Sequence, residues 1–129
     1  MLINTRINNM SCKGTAMKRI EAIVRPTGVM QVCSILEKVG YPGVTISNVE
    51  GHGRQKGFRE VNVRGKMCKM PFLEKKRIML VVEDNDAARI IKAIREAACT
   101  GNMGDGKIFV SPMDDAIRIS TGETGEIAV

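Results

Sequence analysis

The feature that most constrains this chain is a pattern that occurs twice. A β-branched run is followed by helical apolar periodicity, a glycine turn and a second β-branched run. The first copy begins at Arg19-Ile-Glu-Ala-Ile-Val-Arg25, which alternates as a strand does, and Pro26 ends it. Thr27 is the expected cap of the helix that follows. Val29, Val32, Cys33, Leu36 and Val39 fall on one helical stripe, and Gly40 stands where a helix C-cap belongs. Tyr41-Pro-Gly43 is a turn, and Val44–Val49 is the next strand. The second copy begins at Arg77–Val82, a continuous apolar strand. Asp84 is the expected N-cap, with Asp86 favouring the helix dipole in the first turn. Ala87, Ile90, Ile91, Ile94, Ala97 and Ala98 form the second stripe, and Thr100-Gly101 stops it. Lys107–Val110 is the closing strand, ended by Ser111-Pro112, with Ala116–Ile119 as a short extra strand.

Two βαβ units of similar length predict an α+β, ferredoxin-like split βαβ fold (βαββαβ). It has four antiparallel strands, with both helices on one face. The first and third strands are then central. Ile23, Ile46, Ile78, Leu80 and Val82 exceed what one helical layer covers, so an uncovered sheet face is expected to seek a second copy of the chain.

At 129 residues the chain is one domain, 17–129, after a polar leader, 1–16, that is read as disordered or as a start-site artefact. The leader lacks the apolar stretch of a signal peptide, and Met17-Lys18-Arg19-Ile20 reads as a natural start. With three Phe, one Tyr and no Trp, the core must be aliphatic. No run approaches the ~20 apolar residues of a membrane span. The four cysteines form no C-x-x-C pair and there is one histidine, a poor zinc inventory. Reduced thiols in a cytoplasmic protein are the simplest account.

Between the two copies lies a long insert, about 51–74, rich in glycine and charge, with only short β-like pieces such as Val61-Asn-Val63. A loop of that length is usually functional or disordered. Residues 51–77 hold nine Lys/Arg against Glu60 and Glu74, a local +7 in a chain whose net charge is +6. The basicity is therefore a property of this segment alone. Nucleic-acid binding is the default for such a segment, but its phenylalanines are two, Phe58 and Phe72, and they make no stacking platform, so no nucleic-acid partner is expected.

Two glycine-plus-cation loops flank this region. Gly51-His-Gly-Arg-Gln-Lys-Gly57 has the spacing G-x-G-x-x-x-G, which is not a dinucleotide fingerprint, and no helical pattern follows it. Its glycines would still let backbone amides approach an anion, with Arg54 and Lys56 supplying charge. Taken alone, it reads slightly better as a flexible hairpin base. Gly104-Asp-Gly-Lys107 suits either a phosphate or a tight α-to-β turn. With the first and third strands central, the two loops are expected to meet only across a subunit boundary or through the insert. Catalysis finds little support: no Ser/His/Asp set has a recognisable spacing, and Asp114-Asp115 reads as a solvated turn. Lys75, within Lys75-Lys-Arg77, reads by itself as a solvated charge.

The stretches MKRIEAIVRP, GVTISNVEGHGRQKG, FLEKKR, TGNMGDGKIFV and AIRISTGETGE, in this order and spread along the chain from Met17 to Glu126, resemble the PII nitrogen-regulatory family. The resemblance implies a homotrimer, with room for a paralogue, and makes the insert a T-loop. It implies ATP or ADP held in intersubunit clefts between the glycine loop of one subunit and the T-loop base of its neighbour. By position, Thr45, Gly51, Arg54, Gly104, Asp105, Gly106, Lys107 and Arg118 match the nucleotide site. Gln55 and Lys75 match the 2-oxoglutarate site, with Gly53, Lys56 and Gly57 beside them and Arg25 in reach of the distal carboxylate. Mg²⁺ is implied between ATP and 2-oxoglutarate, with Gln55 as its protein partner. Ser120 stands where many bacterial members place a second phosphate-binding arginine, leaving the ATP/ADP preference open. Cys68 stands where they carry a uridylylated tyrosine, so that modification is not expected.

VVED, FVSPMDDA and TGETGE resemble members encoded beside nitrogenase genes. The implied function is a non-enzymatic nitrogen sensor that controls a target protein through the T-loop, with nitrogenase as one such target. The alternatives are a regulator of an ammonium channel, which would be the only route to a membrane, or of glutamine synthetase.

Overall fold

The computed structural model describes residues 17–52, 59–70 and 72–129. In chain order the elements are β1 (Met17–Val24), a 3-10 turn (Pro26–Gly28), α1 (Val29–Lys38), β2 (Thr45–Gly51), β3 (Arg59–Val63), β4 (Lys66–Met70), β5 (Leu73–Glu83), α2 (Asp84–Ala98), β6 (Lys107–Met113) and a final 3-10 turn (Gly125–Ala128). The main sheet has the order β2-β5-β1-β6, and all three of its pairings are antiparallel. β1 and β5, the first and third strands of the sequence pattern, are central as expected.

Strand periodicity decides which residues reach the core. Ile20 opposes Leu80 and Val110, and Ala22 opposes Ile78 and Ile108, so these side chains share the face that α1 and α2 cover. Val32 and Leu36 of α1 and Ile90 and Ile94 of α2 reach that face and are fully buried. Each such aliphatic side chain contributes roughly 1.5–3 kcal/mol by burial.

Several expectations change at element ends. Of the five apolar strand residues expected to exceed what one helical layer covers, Ile78, Leu80 and Val82 are fully or nearly fully buried beneath the helices. Ile46 shares the helix side through its register with Ile78. Only Ile23 lies on the opposite face. That face is nonetheless partly apolar, since Val49, Met79, Val81, Phe109 and Met113 alternate onto it.

Neither expected helix cap forms. Thr27 is taken up in the 3-10 turn, and Gly28 precedes α1 with no side-chain cap bond. β5 runs through Glu83, so Asp84 becomes the first helical residue of α2 and pairs with Lys18 at 3.4 Å. Pro112 does not end β6, which continues to Met113. As an edge strand it can lack one amide on its free side. Ala116–Ile119 forms only an isolated bridge, Ile117 to Thr124.

The insert is more ordered than a structureless loop. β3 and β4 pair as a hairpin, with Val63 opposite Lys66. The turn residues Arg64 and Gly65 have φ of 52° and 77°, and two positive values suit the right-handed twist of a two-residue hairpin.

Candidate functional site

The C-terminal ends of β1 and β2 and the N-terminal ends of β5 and β6 lie at the same end of the sheet. Gly51 pairs with Leu73, and Ile23 pairs with both Arg77 and Lys107. Alternation then places Ile23, Gly51, Leu73, Lys75, Lys107 and Phe109 together on the helix-free face. They line a pocket of ≈ 440 Å³. His52 joins them at the base of the insert. Asn102, Gly104, Asp105 and Gly106 join from the loop that links α2 to β6. Gly51 and His52, the described start of the first glycine loop, thus share one pocket with the Gly104–Lys107 loop.

The α2–β6 loop is built around Asp105. Its carboxylate accepts the Thr100 amide at 2.8 Å, the Gly101 amide at 3.0 Å and the Thr100 hydroxyl. Arg25, just past the end of β1, donates to the same carboxylate at 3.4 Å and also to the Met103 carbonyl. The Thr100 bonds, with help from Gly101 and Arg25, hold the Asp105 carboxyl at about 2, below its ordinary 3.8. Gly106 seats the loop against the sheet. It has φ of 102°, and a Cβ there would lie 1.7 Å from the Ile23 carbonyl oxygen. Only glycine allows so close an approach.

Lys75 connects the two sides. Its Nζ donates to the Gly104 carbonyl at 2.7 Å, across 29 positions of sequence. The residue is only 8% exposed, which corrects its reading as a solvated member of a basic run. Burial first, and the nearby Arg25 second, push its pKa down, while Asp105 opposes the shift. A positive, poorly hydrated amine beside backbone amides and Lys107 suits an anion.

The sequence-predicted residues therefore divide. Gly51, Lys75, Gly104, Asp105, Gly106 and Lys107 line the pocket, and Arg25 braces it through Asp105. Asp105 has its oxygens turned into its own loop, so its role within the chain is to shape that loop. Thr45 lies six residues along β2 from Gly51, about 20 Å of strand, and does not line the pocket. Arg118 donates to the Ile127 carbonyl at 3.1 Å and lies 3.9 Å from Glu123, also apart from the pocket. Gly53, Arg54, Gln55, Lys56 and Gly57 lie outside the described residues.

Sequence reasoning missed His52, Phe109 and the anchoring role of Asp105. For Asp105 a signal was present: the Thr100…Asp105 spacing across a glycine turn suits a carboxylate that caps its own loop. Among the described residues no group of three or more His, Cys, Asp or Glu could hold a metal ion. Among them, too, no helix is long and apolar enough to cross a membrane.

The model of the family "Nitrogen regulatory protein P-II" matches residues 17–123. The chain is 47% identical over 113 residues to a nitrogen regulatory protein P-II of Rhizobium meliloti, covering 88% of this chain and 100% of the relative. It is 43% identical over 113 residues to nitrogen regulatory protein P-II 2 of Methanothermobacter thermautotrophicus, covering 88% and 97%. The crystal structure of Arabidopsis thaliana PII bound to citrate superposes with a TM-score of 0.73 at 41% identity, covering 89% of this chain and 94% of that one.

Proposed function

The chain belongs to the nitrogen regulatory protein P-II family, and from that premise we propose that its pocket is an effector site coupled to the T-loop. Members of the family are regulatory signalling proteins and not enzymes. In our reading the effectors are ATP or ADP on the glycine loop and 2-oxoglutarate beside Lys75. The observation that carries this reading is Lys75 itself. It is a buried cation where the base of the insert meets the Gly104–Lys107 loop.

The chemistry of each group supports it. Gly106 leaves the loop flush against β1, with Lys107 beside it for phosphate oxygens. Lys75 would neutralise one carboxylate of a dicarboxylate. Arg25 could reach the other only by exchanging its contacts with Asp105 and Met103. Citrate, found on the Arabidopsis relative, is a polycarboxylate of the kind such a site accepts. Mg²⁺ suits oxygen ligands, here those of the effectors together with Gln55, and would draw their charges together.

A homotrimer fits the helix-free face, where Phe109 is 54% exposed. It also gives Thr45 and Arg118 a route to a site, that of a neighbouring subunit. The insert leaves the sheet at Gly51 and returns at Leu73, both in the pocket wall. An effector with different affinity for two arrangements of that wall would shift the T-loop population, and the loop would report to its target in the cytoplasm. Nitrogenase is the target we propose.

Calorimetric titration of 2-oxoglutarate, with and without Mg-ATP, tests the effector reading on wild type and Lys75→Ala. Binding should require Mg-ATP and weaken at least tenfold in the variant. Wild-type protein that binds neither nucleotide nor 2-oxoglutarate would sink the proposal.

A further inference from the structure

We infer that His52 is a protonatable wall of this pocket, and that anion binding there is coupled to proton uptake near neutral pH. The inference rests on the reading of the pocket as an anion site. It adds a residue and a pH response that the effector reading does not contain.

The placement carries the argument. His52 follows the last residue of β2 and lines the same pocket as Lys75 and Lys107. Its ring meets Phe72 edge-on, with centroids 5.9 Å apart and planes at 69°. Phe72 immediately precedes β5, so this contact lies across the two ends of the insert and gives the imidazole a defined position. His52 is exposed, so solvent protons reach it.

The charged groups around it set the sign. Lys75 on β5, Lys107 on β6 and Arg25 beyond β1 are cationic, and among the described residues Asp105 on the loop is the one carboxylate lining the pocket. Glu50 and Glu74, one position before Gly51 and one after Leu73, oppose each other on the other face of the sheet. A dianion seated among these groups adds negative charge beside the ring and favours the imidazolium. Histidine titrates in the range where such a change matters, between about pH 5 and 8. By linkage, an anion that raises proton affinity must itself bind more tightly as pH falls.

His52 is the chain's single histidine, so its ring resonances are unambiguous in a proton NMR titration. The titration would be run on the protein alone, with Mg-ATP, and with Mg-ATP plus 2-oxoglutarate. The midpoint should move up when anion is bound. A rise with Mg-ATP alone assigns the coupling to the phosphates, and a further rise with 2-oxoglutarate assigns it to the carboxylates. Each full pH unit of rise corresponds to about tenfold tighter binding at low pH than at high pH.

Calorimetry from about pH 5.5 to about 8.5, across the range in which histidine changes charge, supplies the second readout. His52→Phe keeps an aromatic ring against Phe72 but removes the charge, and should flatten the pH slope while binding persists at high pH. Binding with an unmoved midpoint, or an equal slope in His52→Phe, overturns the inference and leaves the effector reading standing. No anion binding at any pH overturns both.

Discussion

The two helix-to-strand connections occupy equivalent places in the two βαβ units, yet they are built for different purposes. The first runs from α1 through Gly40 and Tyr41 to β2. It is secured from outside: the Tyr41 hydroxyl donates to Asp86 and accepts the Glu83 amide at 3.4 Å, and Arg89 donates to the Val39 carbonyl at 3.0 Å. The second runs from α2 through Gly101, Gly104 and Gly106 to β6. It is secured mainly from within by Asp105, with Arg25 and Lys75 bracing it, and leaves an open pocket beside it. The first connection uses its contacts to fix where α1 ends and α2 begins. The second holds a bare backbone in place where a ligand could approach. The difference teaches that a shared topology leaves the site to whichever connection must lie flush against the sheet.

The largest expected effect sharpens that contrast through glycine. Gly40 and Gly106 have φ of 95° and 102°, but a Cβ on Gly40 meets nothing within 4 Å while one on Gly106 meets the Ile23 carbonyl at 1.7 Å. Gly40→Ala should therefore cost only the backbone strain, about 1–2 kcal/mol. Gly106→Ala should cost about 3 kcal/mol or more, because the loop must also leave the sheet. Urea denaturation of both variants measures this, and equal losses would break the comparison.

Next comes Asp105→Asn. The Asp105 carboxyl titrates at about 2 against an ordinary 3.8, so its ionised form contributes stability above about pH 3.8 that is lost as pH falls through about 2. The variant should melt several degrees lower than wild type at neutral pH, with the gap closing across that acid window. Thermal melts from neutral pH down to about pH 2 follow it. A gap that stays constant with pH would mean that the loop does not depend on the charge.

The smallest effect belongs to the first connection. Tyr41→Phe removes a hydroxyl with two partners and should cost about 0.5–1.5 kcal/mol near neutral pH. Burial and Asp86 raise the Tyr41 hydroxyl from 10.0 to about 12. Its stabilisation is therefore fully present below pH 10 and lost as pH rises through about 12. Chemical denaturation at neutral and alkaline pH should show the difference between wild type and variant shrinking over that range. Effector binding should be unaffected in Tyr41→Phe, in contrast to Lys75→Ala.

Much of this protein was legible before folding was considered. The apolar stripes of α1 and α2 and the alternation of β1 and β5 are local periodicities, and they predicted two helices, two central strands and an aliphatic core. The motif stretches around Gly51 and Gly104 carried the family. Boundaries were less legible, as Asp84, Thr27 and Pro112 show. A cap or a strand end depends on which amides already have partners, and those partners lie elsewhere in the chain.

The site was legible only in part. Residue types and spacing named Gly104 and Lys107, and the family resemblance named Lys75, but no local pattern separates a buried Lys75 from the neighbouring Lys76 and Arg77. What separates them is strand parity together with a loop contributed 29 positions later, which covers one face at that end of the sheet. The same holds for Asp105, whose acidity is set by Thr100, Gly101 and Arg25. The sequence by itself determined the elements and the residue inventory, because periodicity is a property of neighbours along the chain. The tertiary structure alone decided which lysine is buried, which carboxylate shapes the loop and where His52 stands, because desolvation and hydrogen-bond geometry depend on groups distant in sequence.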